Sequence, residues 1–151
     1  MVTVHTTEDM SVLRQLLKDD EIRDALGDDT TPRDPDLAVF VPPGSKLYQV
    51  DVDGSPEGMF VLRPEPEGVY EVHTILSPAC RGRLAIEAAR KMLDDVFLSG
   101  ASGISSQVFN DAPAARWFAH KLGFREVSQH PYPHTRHGHP VEIVNLFLPR
   151  P

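Results

Sequence analysis

Residues 69–98, VYEVHTILSPACRGRLAIEAARKMLDDVFL, decide how the rest of the chain is read. The stretch opens rich in β-branched and aromatic residues and crosses a turn punctuated by Pro78 and Gly82. It then becomes a helix whose apolar positions Leu84, Ala85, Ala88, Met92 and Val96 recur mostly at three- and four-residue intervals. A strand that enters a helix through a tight turn makes an anion site available. The first helical amides have no intrahelical partner and lie at the positive end of the helix dipole, so Arg81, Gly82 and Arg83 stand where a phosphate is favoured. The same arrangement also occurs where nothing binds. Neither GxxxxGK[ST] nor GxGxxG occurs in the chain, so it has neither of the common nucleotide loops.

Composition narrows the class. The 151 residues, 40% of them apolar, suffice for one core and predict a single domain over 1–151. With 22 acidic and 15 basic residues the formal charge is −7, which argues against general nucleic-acid binding and leaves any anion site to local arginines. A single cysteine, Cys80, excludes an internal disulfide framework. The N-terminal MVTVHTTEDMS carries neither a basic leader nor an apolar segment, and no apolar run is long enough to cross a bilayer. A cytoplasmic protein without membrane contact is the expectation.

Working outward, residues 2–6 read as a strand. SVLRQLLKD (11–19) reads as a helix burying Val12/Leu13 and Leu16/Leu17, and 20–26 as a second helix ending at Gly27. GDDTTPRDPD is a loop that either borders a substrate mouth or simply crosses the surface. LAVFV (37–41), KLYQVDV (46–52) and GMFVLRP (58–64) are expected to form a three-strand meander. After the 81–98 helix, SSQVF (105–109) is a strand, and a strand–helix–strand connection of this length predicts parallel neighbours with a right-handed crossover. NDAPAARWFAHKLGF (110–124) is a further helix, capped by Asn110 or Asp111 and stopped at Gly123, with Trp117 and Phe118 packed on the sheet. A strand at 124–128, a histidine-rich loop QHPYPHTRHGHP and a strand VEIVNLFL (141–148) complete the chain.

That order of elements resembles the GCN5-related N-acetyltransferase superfamily over almost the full length. ILSPACRGRLAIEAA (75–89) is similar to the family's V-x-P-x-x-R-G-x-G-x-G turn and helix, and NDAPAARWFAHKLGF to its N-x-x-A…Y-x-x-x-G-F helix. The resemblance implies an α/β (α+β) fold with one mixed, strongly twisted sheet of about seven strands, about four helices and splayed central parallel strands. It implies acetyl-CoA as co-substrate, with the pyrophosphate on the amides of Cys80, Arg81, Gly82, Arg83, Leu84 and Ala85. The pantetheine arm is then expected to run along the backbone near Ile75 and Leu76, with Asn110 beside the cofactor's path. Four positions depart from the pattern: Leu84 replaces a small residue, Ala79 stands where a glutamine or arginine begins the motif, Asn110 lies two residues farther from Gly123 than the family spacing, and Ala119 occupies the place of the tyrosine that commonly protonates the leaving thiolate.

Glu71 and His73 alternate on one strand and so share a face. His73 is the candidate base and Glu71 orients it or the acceptor ammonium, with the roles exchangeable and with a plain hydrogen-bonded pair as the alternative. A backbone N–H near Leu76 is the candidate oxyanion donor. Tyr132, His134, Arg136 and His139 border the acceptor or are surface. The histidine spacings match no zinc pattern, so no metal is expected. Cys80, beside Arg81 and the helix start, is a backbone donor whose thiol could have a lowered pKa. The leading function is acetyl transfer from acetyl-CoA to a primary amine of a small molecule, peptide or protein. The alternatives are a non-catalytic CoA-binding or structural protein of the same fold, and a small α/β domain without a CoA site. The sequence leaves a homodimer open.

Overall fold

The computed structural model describes residues 1–34 and 36–151. Seven strands form one sheet in the order β1-β2-β3-β4-β5-β7-β6. They are β1 (Val2–Thr7), β2 (Lys46–Val52), β3 (Ser55–Pro64), β4 (Val69–Leu76), β5 (Gly103–Phe109), β6 (Arg125–Arg136) and β7 (His139–Pro149). Every ladder is antiparallel except β4/β5. The parallel pair is the one joined by α4 (Arg83–Leu98), as a strand–helix–strand crossover requires.

Helices cover the two faces unequally. On one face α4 and α5 (Pro113–Lys121) pack on Tyr48, Val50, Phe60, Leu62, Val72 and Ile104. Ala85, Ala88 and Ala89 are buried on α4, and their small side chains let that helix lie close to the sheet. On the other face α1 (Ser11–Leu16) and α2 (Asp20–Leu26) bury Leu13, Leu16, Leu17 and Ile22 against Leu47, Met59, Val61 and Ile75. This second cluster ends at β4. Among the described residues no helix is long and apolar enough to cross a membrane.

The β4/β5 ladder is short. It holds only at Val69↔Gly103, Tyr70↔Ile104 and Glu71↔Ser105, while β5 continues against β7 to Phe109 and β4 against β3 to Leu76. Beyond Glu71 the two central strands therefore part, each keeping its outer neighbour, and a V-shaped gap opens in mid-sheet.

Four expectations are corrected. Residues 37–40 form a short helix, α3 (Leu37–Phe40), not a strand: the Asp36 carboxylate accepts from the Ala38 amide (2.9 Å) and nucleates the turn. The meander accordingly consists of β2, β3 and β4, with β1 on its outer edge. The histidine-rich segment is not a loop but most of β6, because pairing with β7 satisfies its backbone; the register shifts between Pro131 and Thr135, where Pro131 and Pro133 lack donors. The helix expected over 110–124 begins only at Pro113 with no side-chain cap, since Asn110 instead joins β5 to β7 by accepting from Glu142 N (2.9 Å) and donating its own amide to Glu142 O (3.0 Å). Trp117 stands half exposed with Lys121 Nζ 5.7 Å from its ring centre, so Phe118 alone of that pair packs on the core. The helix stops at Gly123 (φ 95°), as expected.

Candidate functional site

The two arms of the V differ in what their backbones offer. Ser77 N donates to Glu57 O (2.8 Å) and Glu65 N to Val69 O (2.8 Å), which fixes the odd-numbered residues of β4 as those bonded to β3. Ile75 belongs to that set; its carbonyl faces Gly58 of β3 and its side chain is buried under α1 and α2. Thr74 and Leu76 turn their amides and carbonyls the other way, into the gap. Of the two positions expected to line it, Leu76 does so through its backbone and Ile75 does not; Thr74 takes that place.

At the end of β4 the chain makes a turn closed by Cys80 N donating to Ser77 O (2.9 Å), and the Ser77 hydroxyl is bound to the Glu57 carboxylate. The Cys80 amide is thus spent inside the turn, and its thiol is buried. Burial, with the Glu57 charge second, pushes the thiol pKa above its ordinary value, the opposite of the expected lowering. Gly82 then adopts φ 64°, ψ −125° as the N-cap of α4, a conformation that side chains disfavour, and open space lies above its Cα. Among the described residues, the amides of residues 81–85 find no protein acceptor. Arg81 reaches back to Glu21 on α2 (2.9 Å), so its charge is partly answered before any ligand arrives. Leu84 packs against the core, as its helical phase predicts.

Glu71 and His73 meet on the helix-α2 face of β4, with Nε2 2.7 Å from Oε1. A carboxylate only accepts, so Nε2 carries the hydrogen, and the lone pair of the unprotonated ring is at Nδ1. The Phe40 ring of α3 lies against the imidazole at 5.4 Å, and Arg63, registered opposite Glu71 on β3, brings Nη1 to 3.5 Å from Oε1. The His73 hydrogen bond, then the His73 and Arg63 charges, hold the Glu71 carboxyl below its usual range although burial works against them. Glu71 is therefore a permanent anion at neutral pH. Neither Phe40 nor Arg63 was recoverable by motif, although Arg63 could have been found from the β3/β4 register once the hairpin was known.

A groove of about 300 Å³ runs from Glu71 across β5 and β7, lined by Glu65, Ser105, Gln107, Asn145 and Phe147 among others. Polar side chains form a ladder along it: Gln107 Nε2 donates to Asn145 Oδ1 (2.9 Å), and Asn145 Nδ2 lies 3.0 Å from Ser128 Oγ and 3.2 Å from His130 Nδ1. At the tip of the β6–β7 hairpin the 27–34 loop is held down. Asp29 N donates to Thr135 O (2.9 Å), its carboxylate accepts from the amides of His137 and Gly138, and the Tyr132 hydroxyl donates to Asp28, which pushes the phenol up to about 12. Arg136, the one buried charged side chain among the described residues, gives Nε to Gly27 O (2.9 Å) and Nη2 to Asp24 O (2.8 Å) and pairs with Asp111. It is thus an anchor between α2 and the end of β5. His134 stacks edge-on to Tyr132, and His139 is exposed. Ala119 is buried and brings no hydroxyl to the gap.

A mixed sheet opened between its parallel strands, with a helix N-terminus at the open end of the gap, defines an architecture class of its own. It is the fold of the GCN5-related N-acetyltransferases. Spermidine N-acetyltransferase from Vibrio cholerae superimposes with a TM-score of 0.80 at 16% identity, over 99% of this chain and 95% of that one. The ribosomal-protein-S18-alanine N-acetyltransferase from Escherichia coli gives 0.76 at 14%, over 99% and 94%. An N-acetyltransferase from Staphylococcus aureus Mu50 gives 0.77 at 13%, over 100% and 99%. No family model and no curated protein matches the chain.

Proposed function

We propose that the protein transfers an acetyl group from acetyl-CoA to a primary amine. The observation that carries this is the conjunction, at opposite ends of one gap, of free helix-start amides and a Glu71–His73 pair. The residues fit the co-substrate: amides 81–85 suit a diphosphate, the space over Gly82 admits it, and the Thr74 and Leu76 backbones suit the amide groups of a pantetheine arm. Bound there, acetyl-CoA supplies the acetyl group as a thioester.

The chain's own residues then handle charge and protons. An acceptor arrives as an ammonium and must lose a proton before its nitrogen can attack. His73 Nδ1 is the free lone pair, and Glu71 at Nε2 fixes that tautomer and stabilises the ring once it is charged. The Leu76 N–H, turned into the gap, offers a hydrogen bond to an oxygen that gains negative charge. Buried Ala119 favours a second reading, in which the fold binds CoA without turnover. Titration calorimetry with CoA followed by an amine panel read by thiol release separates the two. Binding with thiol release supports transfer, binding with a silent panel supports the second reading, and no CoA binding removes both.

A further inference from the structure

Past Val72 the two arms of the gap share no hydrogen bond: among the described residues, none joins residues 73–82 directly to β5, β6 or β7. The polar link between the arms runs through α2. Its first turn is tied to the β4 side, where Glu21 accepts from Arg81 (2.9 Å) and Ile22 is buried in the cluster that holds Ile75. Its last turn is tied to the β5 side by Arg136, which is only 5% exposed. Nη2 and Nε of Arg136 donate to the Asp24 and Gly27 carbonyls, at the helix end whose carbonyls lack intrahelical partners. Nη1 pairs with Asp111, and the guanidinium carbon lies 4.3 Å from the centre of the Phe109 ring, at the end of β5. Three segments of chain thus meet on one planar fork. The seven residues of α2 span about 10 Å, twice the roughly 5 Å between paired strands, which is the reach needed to cross an opened sheet.

We propose that Arg136 is a positioning residue for the co-substrate: by fixing the end of α2 to the end of β5 it sets the separation of the two arms, and so the fit of a pantetheine chain between them. The co-substrate rests on the acetyl-transfer reading, whereas the brace stands or falls on arm separation. Arg136 acts through α2 and β5 and not on the reacting atoms. Arg136→Lys keeps the charge but loses the fork, and Asp111→Asn keeps the fork but loses the charge that holds it to the β5 end. Both leave the rest of the junction in place, because Asp28 and Asp29 still bind Tyr132, Thr135 and the amides of His137 and Gly138.

The test has two readouts and needs no turnover. Spin labels at Ala79→Cys and Gln107→Cys, exposed positions on opposite arms, in a Cys80→Ala background, report the separation by pulsed electron resonance in the free protein. Calorimetry on the unlabelled protein compares CoA with 3′-phospho-ADP, which has the diphosphate but no pantetheine. Arg136→Lys and Asp111→Asn are each expected to lengthen and broaden the label distance and to weaken CoA about tenfold, the size of one charge-assisted hydrogen bond. Affinity for 3′-phospho-ADP should stay within about twofold of the wild type, since the amides of α4 are not part of the brace. Melting temperatures show which variants are folded, and Asp111 is exposed, so Asp111→Asn decides the matter if Arg136→Lys does not fold. An unchanged label distance overturns the proposal, as does a parallel loss of both ligands, the mark of a merely structural role. A shifted distance in a protein that binds no CoA upholds the brace while removing acetyl transfer; thiol release with an unshifted distance does the reverse.

Discussion

His73 Nε2 lies 2.7 Å from Glu71 Oε1, two residues away on the same face of β4, at the point where that strand leaves β5. The pair is local in sequence, yet its use depends on the gap beside it. His73→Ala is expected to lower kcat/KM by about 10²–10⁴-fold with CoA affinity nearly unchanged, the usual range for a general base. Glu71→Gln should cost less if it acts by holding the tautomer. A larger loss in Glu71→Gln than in His73→Ala, at one pH with one acceptor, would transfer the base role to the carboxylate.

The same pair predicts an acid limb in stability. The His73 hydrogen bond holds the Glu71 carboxyl below the ordinary glutamate value in the folded protein. Its contribution is therefore complete above that value and lost as pH falls through the lowered one, where the folded carboxylate must at last be protonated. Melting temperatures between pH 6 and pH 3 should fall less steeply in Glu71→Gln than in the wild type. Parallel curves would mean that the pair adds nothing to folding.

Gly82→Val should weaken CoA binding by tenfold or more. A β-branched residue at φ 64° costs about 1–3 kcal/mol and crowds the space into which the 81–85 amides point. No atom lies within 4 Å of the position a Cβ would take, so the loss in the free protein is conformational strain and not collision. Arg81→Ala and Arg83→Ala should each lose less, because the site consists mainly of backbone. Calorimetry with CoA, set beside the melting temperature of each variant, tests the order.

Cys80 should resist alkylation in the native state. Its thiol is fully buried, and both burial and the Glu57 charge keep it protonated at neutral pH. Maleimide labelling is expected to be slow until denaturant is added, then rapid. Fast native labelling would show that the turn opens.

Arg136→Ala should destabilise the protein by about 1–3 kcal/mol, since it strips hydrogen bonds from the Asp24 and Gly27 carbonyls and leaves Asp111 without its cation. Arg136→Lys should recover only part, because an ammonium cannot reproduce the guanidinium's planar fork. Urea melts of the two variants check the order; equality of Arg136→Lys with the wild type would reduce the residue to a point charge.

The turn-and-helix segment 69–98 was legible because its signals are local. Period-2 alternation placed Glu71 with His73, a period near 3.6 buried Ala85, Ala88, Met92 and Val96, and Pro78 and Gly82 marked the turn before the helix. The parallel pair followed from the length of the connection between its strands. The short apolar run LAVFV was ambiguous by its nature, since four or five apolar residues suit a strand or a helical turn equally, and the Asp36 cap and the packing of Phe40 on His73 decided it.

What only the tertiary structure decided depends on partners distant in the chain. Pairing with β7 turned a proline- and histidine-rich segment into β6, because a backbone group bonds to whatever strand lies beside it, whatever its own composition. Which β4 amides face the gap was set by parity against β3: one bond from Ser77 to Glu57 turns Ile75 outward to its neighbour and Leu76 inward. The Cys80 thiol followed the same logic, its pKa raised by burial that no residue next to it in sequence reveals. Periodicity and caps act over a few residues and are written in the chain, whereas hydrogen-bond parity, burial and the buried contacts of Arg136 with Asp24, Gly27 and Asp111 arise only when strands and helices from different parts of the chain come together.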